Sequence, residues 1–270
     1  MSVVIKAKGI LFDMDGTLVD TTACVENAWR SVAEEYGVDA TELLKNIHGR
    51  SGLDTLKTYF PPQCHTLEFL RSYESQVVEQ TEGVDAVPGA LTVLKSLSAD
   101  RWAVVTAASG MWAQKRLTQA GLPLPTHLVS ADNVKVNKPH PEGYLAGAMH
   151  LGLDAKDTVV FEDAVSGVLA GRAANATVIA LTTSTPRKDL VKAGAHYVLD
   201  DYRGITIVDN GDHCHKANAA EDYAGNNTAT RSLFGAGNGL CAQQSTAAAQ
   251  SKVEERHFVE YLRTRIASHH

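Results

Sequence analysis

Phe12-Asp13-Met14-Asp15-Gly16-Thr17-Leu18 places two carboxylates two residues apart, where the apolar run Ile10-Leu11-Phe12 gives way to glycine and threonine. A run of that length ending at glycine predicts a buried strand entering a turn. Side chains alternate along a strand, so Asp13 and Asp15 share a direction wherever the extended geometry continues. Two anions that close repel unless a cation or a proton lies between them. The pair suits a divalent metal, one acid beside one base, or both; an ordinary polar turn is the competing reading. Later apolar runs end in a similar way. Thr106 closes Ala103-Val104-Val105, and Glu162-Asp163 close Val159-Val160-Phe161. In open parallel sheets, ligands bind at the carboxyl ends of the strands, so the three endings converge on one place. Each also has a structural reading: Thr106 as an ordinary strand-end threonine, and Glu162-Asp163 as the cap of a helix starting near Val165.

The elements that must position these groups alternate. Strand-like runs occupy 9–12, 102–105, 158–161, 178–181 and 196–199, with helical spacing over 88–98, 111–120, 141–151 and 165–174 between most of them. That order predicts an α/β fold: a Rossmann-like parallel sheet with helices on both faces. Residues 21–86 hold helix-like stretches at 22–35, 40–47, 51–58 and 66–82 and no convincing strand. They read as a small helical cap inserted after the first strand and closed by the turn Val87-Pro88-Gly89. Trp29, Val32, Ala33 and Tyr36 recur at helical spacing, as core packing does. The catalytic core is then 1–20 and 87–208. Residues 209–270 form an atypical tail, poor in apolar periodicity and expected to be mobile up to about Ser251. A short helix is expected over 252–268, with Phe258, Leu262 and Ile266 on one face.

At 270 residues, with 44% hydrophobic and 21% charged residues, the chain is ordinary for a globular protein. A formal net charge of −6 and no basic run give no reason to expect nucleic acid or an anionic membrane surface. No apolar stretch approaches the length of a spanning helix. The N-terminus lacks a signal peptide's apolar centre and cleavage site, and Cys24, Cys64, Cys214 and Cys241 are scattered without a CxxC pair. A cytoplasmic monomer with free thiols is the expectation, in which the Asn226-Asn227-Thr228 sequon stays unglycosylated.

The motifs Asp13-Met14-Asp15-Gly16-Thr17, Thr106, Lys138-Pro139 and Glu162-Asp163 with Ser166-Gly167-Val168-Leu169-Ala170-Gly171 occur in the order and spacing of a known family. Over residues 7–205 the chain resembles the haloacid dehalogenase-like hydrolases, in the branch with a helical cap. The resemblance implies that Asp13 is a nucleophile forming an aspartyl-phosphate. It implies Mg²⁺ bound by the carboxylates of Asp13 and Asp163 and by the backbone carbonyl of Asp15. Asp15's carboxyl would then protonate the leaving alkoxide and deprotonate the attacking water. Thr106 and Lys138 would hold phosphoryl oxygens. Glu162 would support the metal shell without binding the ion. Lys138 competes with Lys135 in the same loop; the following proline and the family spacing favour Lys138. Gly167 and Gly171 read as close helix packing.

Asp20-Thr21-Thr22, Glu26-Asn27-Ala28-Trp29, Gly37-Val38-Asp39 and His48-Gly49-Arg50 further resemble the cap of the yeast-type 2-deoxyglucose-6-phosphate and glycerol-phosphate phosphatases. A small phosphorylated sugar or polyol is the implied substrate, with Arg50 anchoring its oxygens or packing within the cap. Three departures stand out. Ala107-Ala108 precede Ser109-Gly110 where that group has Ser-Gly directly after the threonine, and the cap signature is one residue shorter before Arg50. The tail also does not look like the family's C-terminal hairpin. His213-Cys214-His215 within it offers ligand types for a soft metal but reads as incidental. A phosphomutase on the same scaffold is the nearest alternative. Mutases that resemble the chain carry a histidine ten residues after the acid/base aspartate, where this chain has Val25. A dehalogenase generally lacks the aspartate that Asp15 supplies. A non-catalytic phosphometabolite-binding protein is the remaining reading.

Overall fold

The computed structural model describes residues 2–208 and 260–265. β1 (Ser2–Ala7) runs into β2 (Gly9–Phe12), and β3 (Val19–Asp20) follows the aspartate turn. Four helices come next: α1 (Thr22–Tyr36), α2 (Ala40–Leu44), α3 (Gly52–Tyr59) and α4 (Leu67–Val77). β4 (Asp85–Ala86), α5 (Ala90–Lys95), β5 (Trp102–Val105), α6 (Gly110–Gln119), β6 (Leu128–Val129) and α7 (Glu142–His150) lead to β7 (Thr158–Glu162). The order ends α8 (Val165–Ala173), β8 (Thr177–Leu181), α9 (Arg187–Lys192), β9 (Tyr197–Leu199), β10 (Ile205–Val208) and β11 (Glu260–Arg265).

Six strands form one parallel sheet in the order β6-β5-β2-β7-β8-β9. Period-two alternation sorts its side chains into two cores. Ile10, Phe12, Trp102, Val104, Val159, Phe161, Ile179 and Leu181 pack with residues of α5 and α6, among them Val93, Leu94, Trp112 and Leu117. Leu11, Ala103, Val105, Val160, Val178 and Ala180 pack with Tyr144, Ala148, Val168 and Leu190 of α7, α8 and α9. Strands buried on both faces read as continuous apolar runs, which is why they were visible in the sequence. β2 is central and the chain reverses its direction of travel across the sheet there, the place where such sheets bind ligands.

Between β3 and β4 the regular elements are all helical, and their start signals are plain. Asp39 accepts from Thr41 N–H at 2.8 Å, Ser51 from Asp54 N–H at 3.2 Å and Thr66 from Phe69 N–H at 3.1 Å, capping α2, α3 and α4. Each such cap is worth about 1 kcal/mol. Trp29, Leu43, Leu56, Phe60, Cys64 and Leu70 give these helices a small core of their own. The departing and returning strands pair antiparallel, Val19 with Ala86 and Asp20 with Asp85, so the insertion is joined to the sheet through two adjacent strands.

The short C-terminal helix is corrected. Glu260–Arg265 is a strand, set antiparallel between β1 and β10 in a second sheet. Apolar residues four apart, as at 258, 262 and 266, satisfy helical and alternating periods equally. Tertiary context decided: pairing on both edges gives the backbone groups of β1 and β10 ladder partners that a helix cannot supply. Together β10 and β11 are the antiparallel pair that the tail had not been expected to form, and β1 was not assigned at all. The remainder of the tail, with His213-Cys214-His215, lies outside the described residues. No described helix is long and apolar enough to cross a membrane.

Candidate active site

Asp13 leaves the end of β2, its N–H donating to Phe161 O of β7 at 3.0 Å, and its side chain is buried. Lys138 reaches it from the loop before α7. That loop is folded by Glu142, whose carboxylate takes Lys135 N–H at 2.8 Å and Val136 N–H at 3.1 Å. The Lys138 ammonium is ion-paired with Asp13 Oδ1 and donates to Glu162 Oε1 at 2.7 Å. Lys138 is buried whereas Lys135 is exposed, so the competition within the loop is decided by position. Burial alone would lower the Lys138 pKa, but the carboxylates of Asp13 and Glu162 overcome it and raise it.

Glu162 is fully occupied by the protein. Its Oε1 also accepts Tyr144 O–H at 2.8 Å, and its Oε2 accepts Asp163 N–H at 2.9 Å and Ala164 N–H at 3.0 Å. Four donors fill the acceptor sites of one carboxylate, which suits a supporting part rather than an open ligand. Gly167 is what admits this group, since a Cβ there would fall on the Glu162 carboxylate. The packing reading therefore holds for Gly171, set against Val178 and Val160, while Gly167 makes room for a charged group. Asp163 does not cap α8: the N-cap is Ala164, with no side-chain cap bond. Asp163 turns to the site, accepting Thr17 O–H at 3.1 Å on Oδ1 and Ser184 O–H on Oδ2. Gly16, at φ +81°, passes so close that any side chain there would strike Asp163.

The carboxylates of Asp13, Glu162 and Asp163 lie together, one oxygen of each within 4.8 Å of the others. Burial pushes Asp13 up to about 7 despite the pull of Lys138, with Glu162 and Asp15 pushing the same way. Burial first, then the charges of Asp13 and Glu162, hold Asp163 well above the usual carboxylate range. One lysine thus undercompensates three buried acids, and a hard, oxygen-seeking divalent ion such as Mg²⁺ fits what is missing.

A sign follows for stability. Asp13 ordinarily titrates near 3.8 and here near 7, so between those values the folded chain binds the proton that the unfolded chain has released. Its stabilising contribution is present below the lower value and is lost as pH rises through the upper one. The Tm in chelator is expected to fall from about pH 5 to about pH 8, and added Mg²⁺ to restore it most at the higher pH. A Tm indifferent to Mg²⁺ at the higher pH would count against a cation among these acids.

Asp15 stands apart from this cluster. Its Oδ1 accepts Thr21 O–H at 2.7 Å and Trp112 Nε1–H at 3.4 Å. Burial raises its pKa against the pull of those two donors. Trp112 is steadied by Arg116, whose guanidinium lies 4.1 Å from the indole centre and donates to the carbonyls of Val77, Val78 and Gln80. One donor to the aspartate is therefore stacked against a guanidinium that grips the end of α4. Nothing in the sequence signals this, because Trp112 and Arg116 look like any aromatic–cation pair one helical turn apart.

A cavity of about 100 Å³ opens over the two aspartates. Asp13, Asp15, Thr21 and Thr106 line its base, and Val25, Trp29, His48, Arg50, Leu70, Tyr73 and Glu74 come from the helical insertion. Trp29 thus both packs in the insertion and faces the cavity. Thr106, buried at the end of β5, accepts Ala108 N–H at 3.0 Å. Arg50 lies over Tyr59, 5.9 Å from its ring centre, rather than against the carboxylates. The insertion is latched to the sheet side by Ser166 O–H donating to Gly49 O at 2.9 Å and Ser109 O–H donating to Glu74 Oε2 at 2.7 Å. Ser109, the residue shifted by the Ala107-Ala108 departure, is also the N-cap of α6.

Comparison with known proteins places the chain among relatives. The family model for haloacid dehalogenase-like hydrolases matches residues 10–181. Hexitol phosphatase A of Escherichia coli (strain K12) is 40% identical, over 77% of this chain and 98% of its own length. 2-Deoxyglucose-6-phosphate phosphatase 2 of Saccharomyces cerevisiae is 33% identical, over 75% of this chain and 91% of its own. The crystal structure of a β-phosphoglucomutase from Clostridium difficile superposes with a TM-score of 0.62 at 22% identity, over 72% and 91% of the two chains, a likeness of fold alone. The chain belongs to the haloacid dehalogenase-like hydrolase family.

Proposed function

We propose that the protein is an Mg²⁺-dependent phosphatase that hydrolyses a small sugar phosphate or polyol phosphate through an aspartyl-phosphate. The observation that carries this is a division of labour at the end of the sheet. Asp13 sits in the acidic cluster against Lys138, while Asp15, outside the cluster, keeps its carboxyl for the same cavity. Mg²⁺, held by the carboxylates of Asp13 and Asp163 and the Asp15 carbonyl, would supply positive charge to the phosphoryl oxygens. Asp13 attacks phosphorus with a carboxylate oxygen, and the bond from phosphorus to the substrate oxygen breaks. Asp15, whose burial keeps it inclined to hold a proton, protonates the departing alkoxide. It then takes a proton from water, which attacks the aspartyl-phosphate, frees inorganic phosphate and regenerates Asp13. Lys138 and Thr106 hold the phosphoryl oxygens, and Lys138 also keeps Asp13 anionic enough to attack.

In this reading 1–20 with 87–208 is the catalytic core and 21–86 the cap that closes over the alcohol, with Arg50 toward substrate oxygens. The similarity to the hexitol and 2-deoxyglucose-6-phosphate phosphatases supports a polyol or sugar alcohol part. The reading includes a cytoplasmic monomer; the free thiols of Cys24 and Cys64 accord with the reducing compartment. Val25 lines the cavity where a mutase-like histidine would stand and cannot accept a proton, which favours water as the phosphoryl acceptor. The test is a panel of sugar and polyol monophosphates, assayed for free phosphate with Mg²⁺ and with chelator. Phosphate release that chelation abolishes is expected. Isomerised sugar phosphate without free phosphate would replace the reading with a mutase, and silence across the panel would leave the non-catalytic alternative.

A further inference from the structure

Among the described residues lining the cavity, Glu74 is the one carboxylate that the mechanism leaves unused. It projects from α4 with only 8% of its surface exposed, and its Oε2 is taken by Ser109. Among the described residues Oε1 has no hydrogen-bond partner, and no ion pair includes Glu74. Burial raises its pKa, and Arg71, the one basic residue that pulls the other way, is itself drawn to Asp132 at 3.7 Å. A buried carboxylate without a paired cation is costly, and a neutral amide would hold Ser109 just as well. The charge is therefore not explained by the latch.

Its surroundings have the character of a carbohydrate subsite. Trp29 and Tyr73 present rings with centroids 5.7 Å apart, tilted 40° to one another, and Val25, Ala28 and Leu70 line the same cavity. Flat rings and aliphatic side chains cover C–H surfaces, and a carboxylate oxygen is a strong acceptor for hydroxyls. The Tyr73 hydroxyl is buried without a partner among the described residues. The charge balance points the same way: among the described residues lining the cavity, Arg50 is the only arginine or lysine, against Asp13, Asp15 and Glu74.

Resting on the phosphatase reading, we propose that Glu74 is the specificity-determining residue of this cavity. Its free oxygen accepts the hydroxyls of a neutral polyol or sugar chain distal to the phosphate, and its negative charge turns away substrates bearing a second phosphate or a carboxylate. The substrate class narrows accordingly to neutral monophosphates, with sugar bisphosphates and phosphorylated sugar acids excluded.

The test compares kcat/KM in wild type, Glu74→Gln and Glu68→Gln for four compounds. These are a six-carbon polyol monophosphate, acetyl phosphate (which lacks distal hydroxyls), a hexose bisphosphate and a phosphorylated sugar acid. Glu74→Gln keeps the size of the side chain and an acceptor for Ser109; Glu68, exposed on the same helix, is the control. In Glu74→Gln the ratio of polyol phosphate to acetyl phosphate is expected to fall roughly 10- to 100-fold, mainly through KM, as for a lost charged hydrogen bond. The ratio of bisphosphate to polyol monophosphate is expected to rise roughly 10-fold or more as the repulsion goes. Glu68→Gln should match wild type. Ratios within twofold of wild type in Glu74→Gln, an equal loss on all four compounds, or a wild-type enzyme that takes the bisphosphate as readily as the polyol monophosphate would each overturn the proposal. Failure of the phosphatase reading looks different: wild type then releases phosphate from none of the four, acetyl phosphate included.

Discussion

Asp13→Asn is expected to abolish phosphate release while leaving the fold intact or firmer. An amide oxygen is a far weaker nucleophile than a carboxylate, and losing a residue that forms the covalent intermediate costs roughly 10⁴-fold or more in kcat. Stability should move the other way. Asp13 is buried among like charges, which raises its pKa to about 7, so at higher pH its ionisation weighs against the folded state. Asparagine fills the same space without that charge, and Lys138 keeps its bond to Glu162. Lost activity with a Tm equal to or above wild type, measured in chelator above neutral pH, is the expected pair of results. Turnover near the wild-type rate would remove Asp13 from the nucleophile's position, and a large fall in Tm would mean that the carboxylate is structural.

Asp15→Asn should show a defect that depends on the leaving group. The Asp15 carboxyl lies outside the acidic cluster and is oriented by Thr21 and Trp112, so its removal should spare both the nucleophile and the cation. What is lost is a proton donor for an alkoxide, worth about 10²–10⁴-fold. A polyol phosphate should suffer that whole loss in the first step. Acetyl phosphate, whose leaving group needs no proton, should still phosphorylate Asp13, and the phosphorylated protein should accumulate because water is no longer activated. A burst of acetate followed by slow turnover, with a mass increase of one phosphoryl group on the protein, is the signature. Equal losses on both substrates, without a phosphorylated species, would show that Asp15 positions rather than transfers protons.

Much of the site was legible in sequence because Asp13, Thr106 and Asp163 each stand at the end of an apolar run. Strands buried on both faces cannot alternate, so β2, β5 and β7 stand out as short apolar stretches, and Asp13, Thr106 and Asp163 follow them by one residue at most. Lys138 was less secure, since nothing in its own neighbourhood distinguishes it from Lys135; only the folding of the loop on Glu142 buries one and exposes the other. Trp112 and Arg116 could not have been found at all. Their importance lies in touching Asp15 and the end of α4, residues distant in the chain that a helical period does not reveal. Glu74 looked like one more acid on the polar face of an amphipathic helix.

By itself the sequence determined the alternation of strands and helices, the helical insertion and the strand end that carries the two aspartates, because periodicity and strand ends are local properties of the chain. Tertiary structure decided the rest. It made residues 260–265 a strand where spacing alone allowed a helix, since two unpaired edges awaited hydrogen bonds. It placed every acceptor of Glu162 on Lys138, Tyr144 and backbone, and it buried Glu74 beside the cavity over the two aspartates. Whether a carboxylate is a ligand, a support or a gatekeeper depends on which donors surround it, and those donors come from segments that only folding brings together.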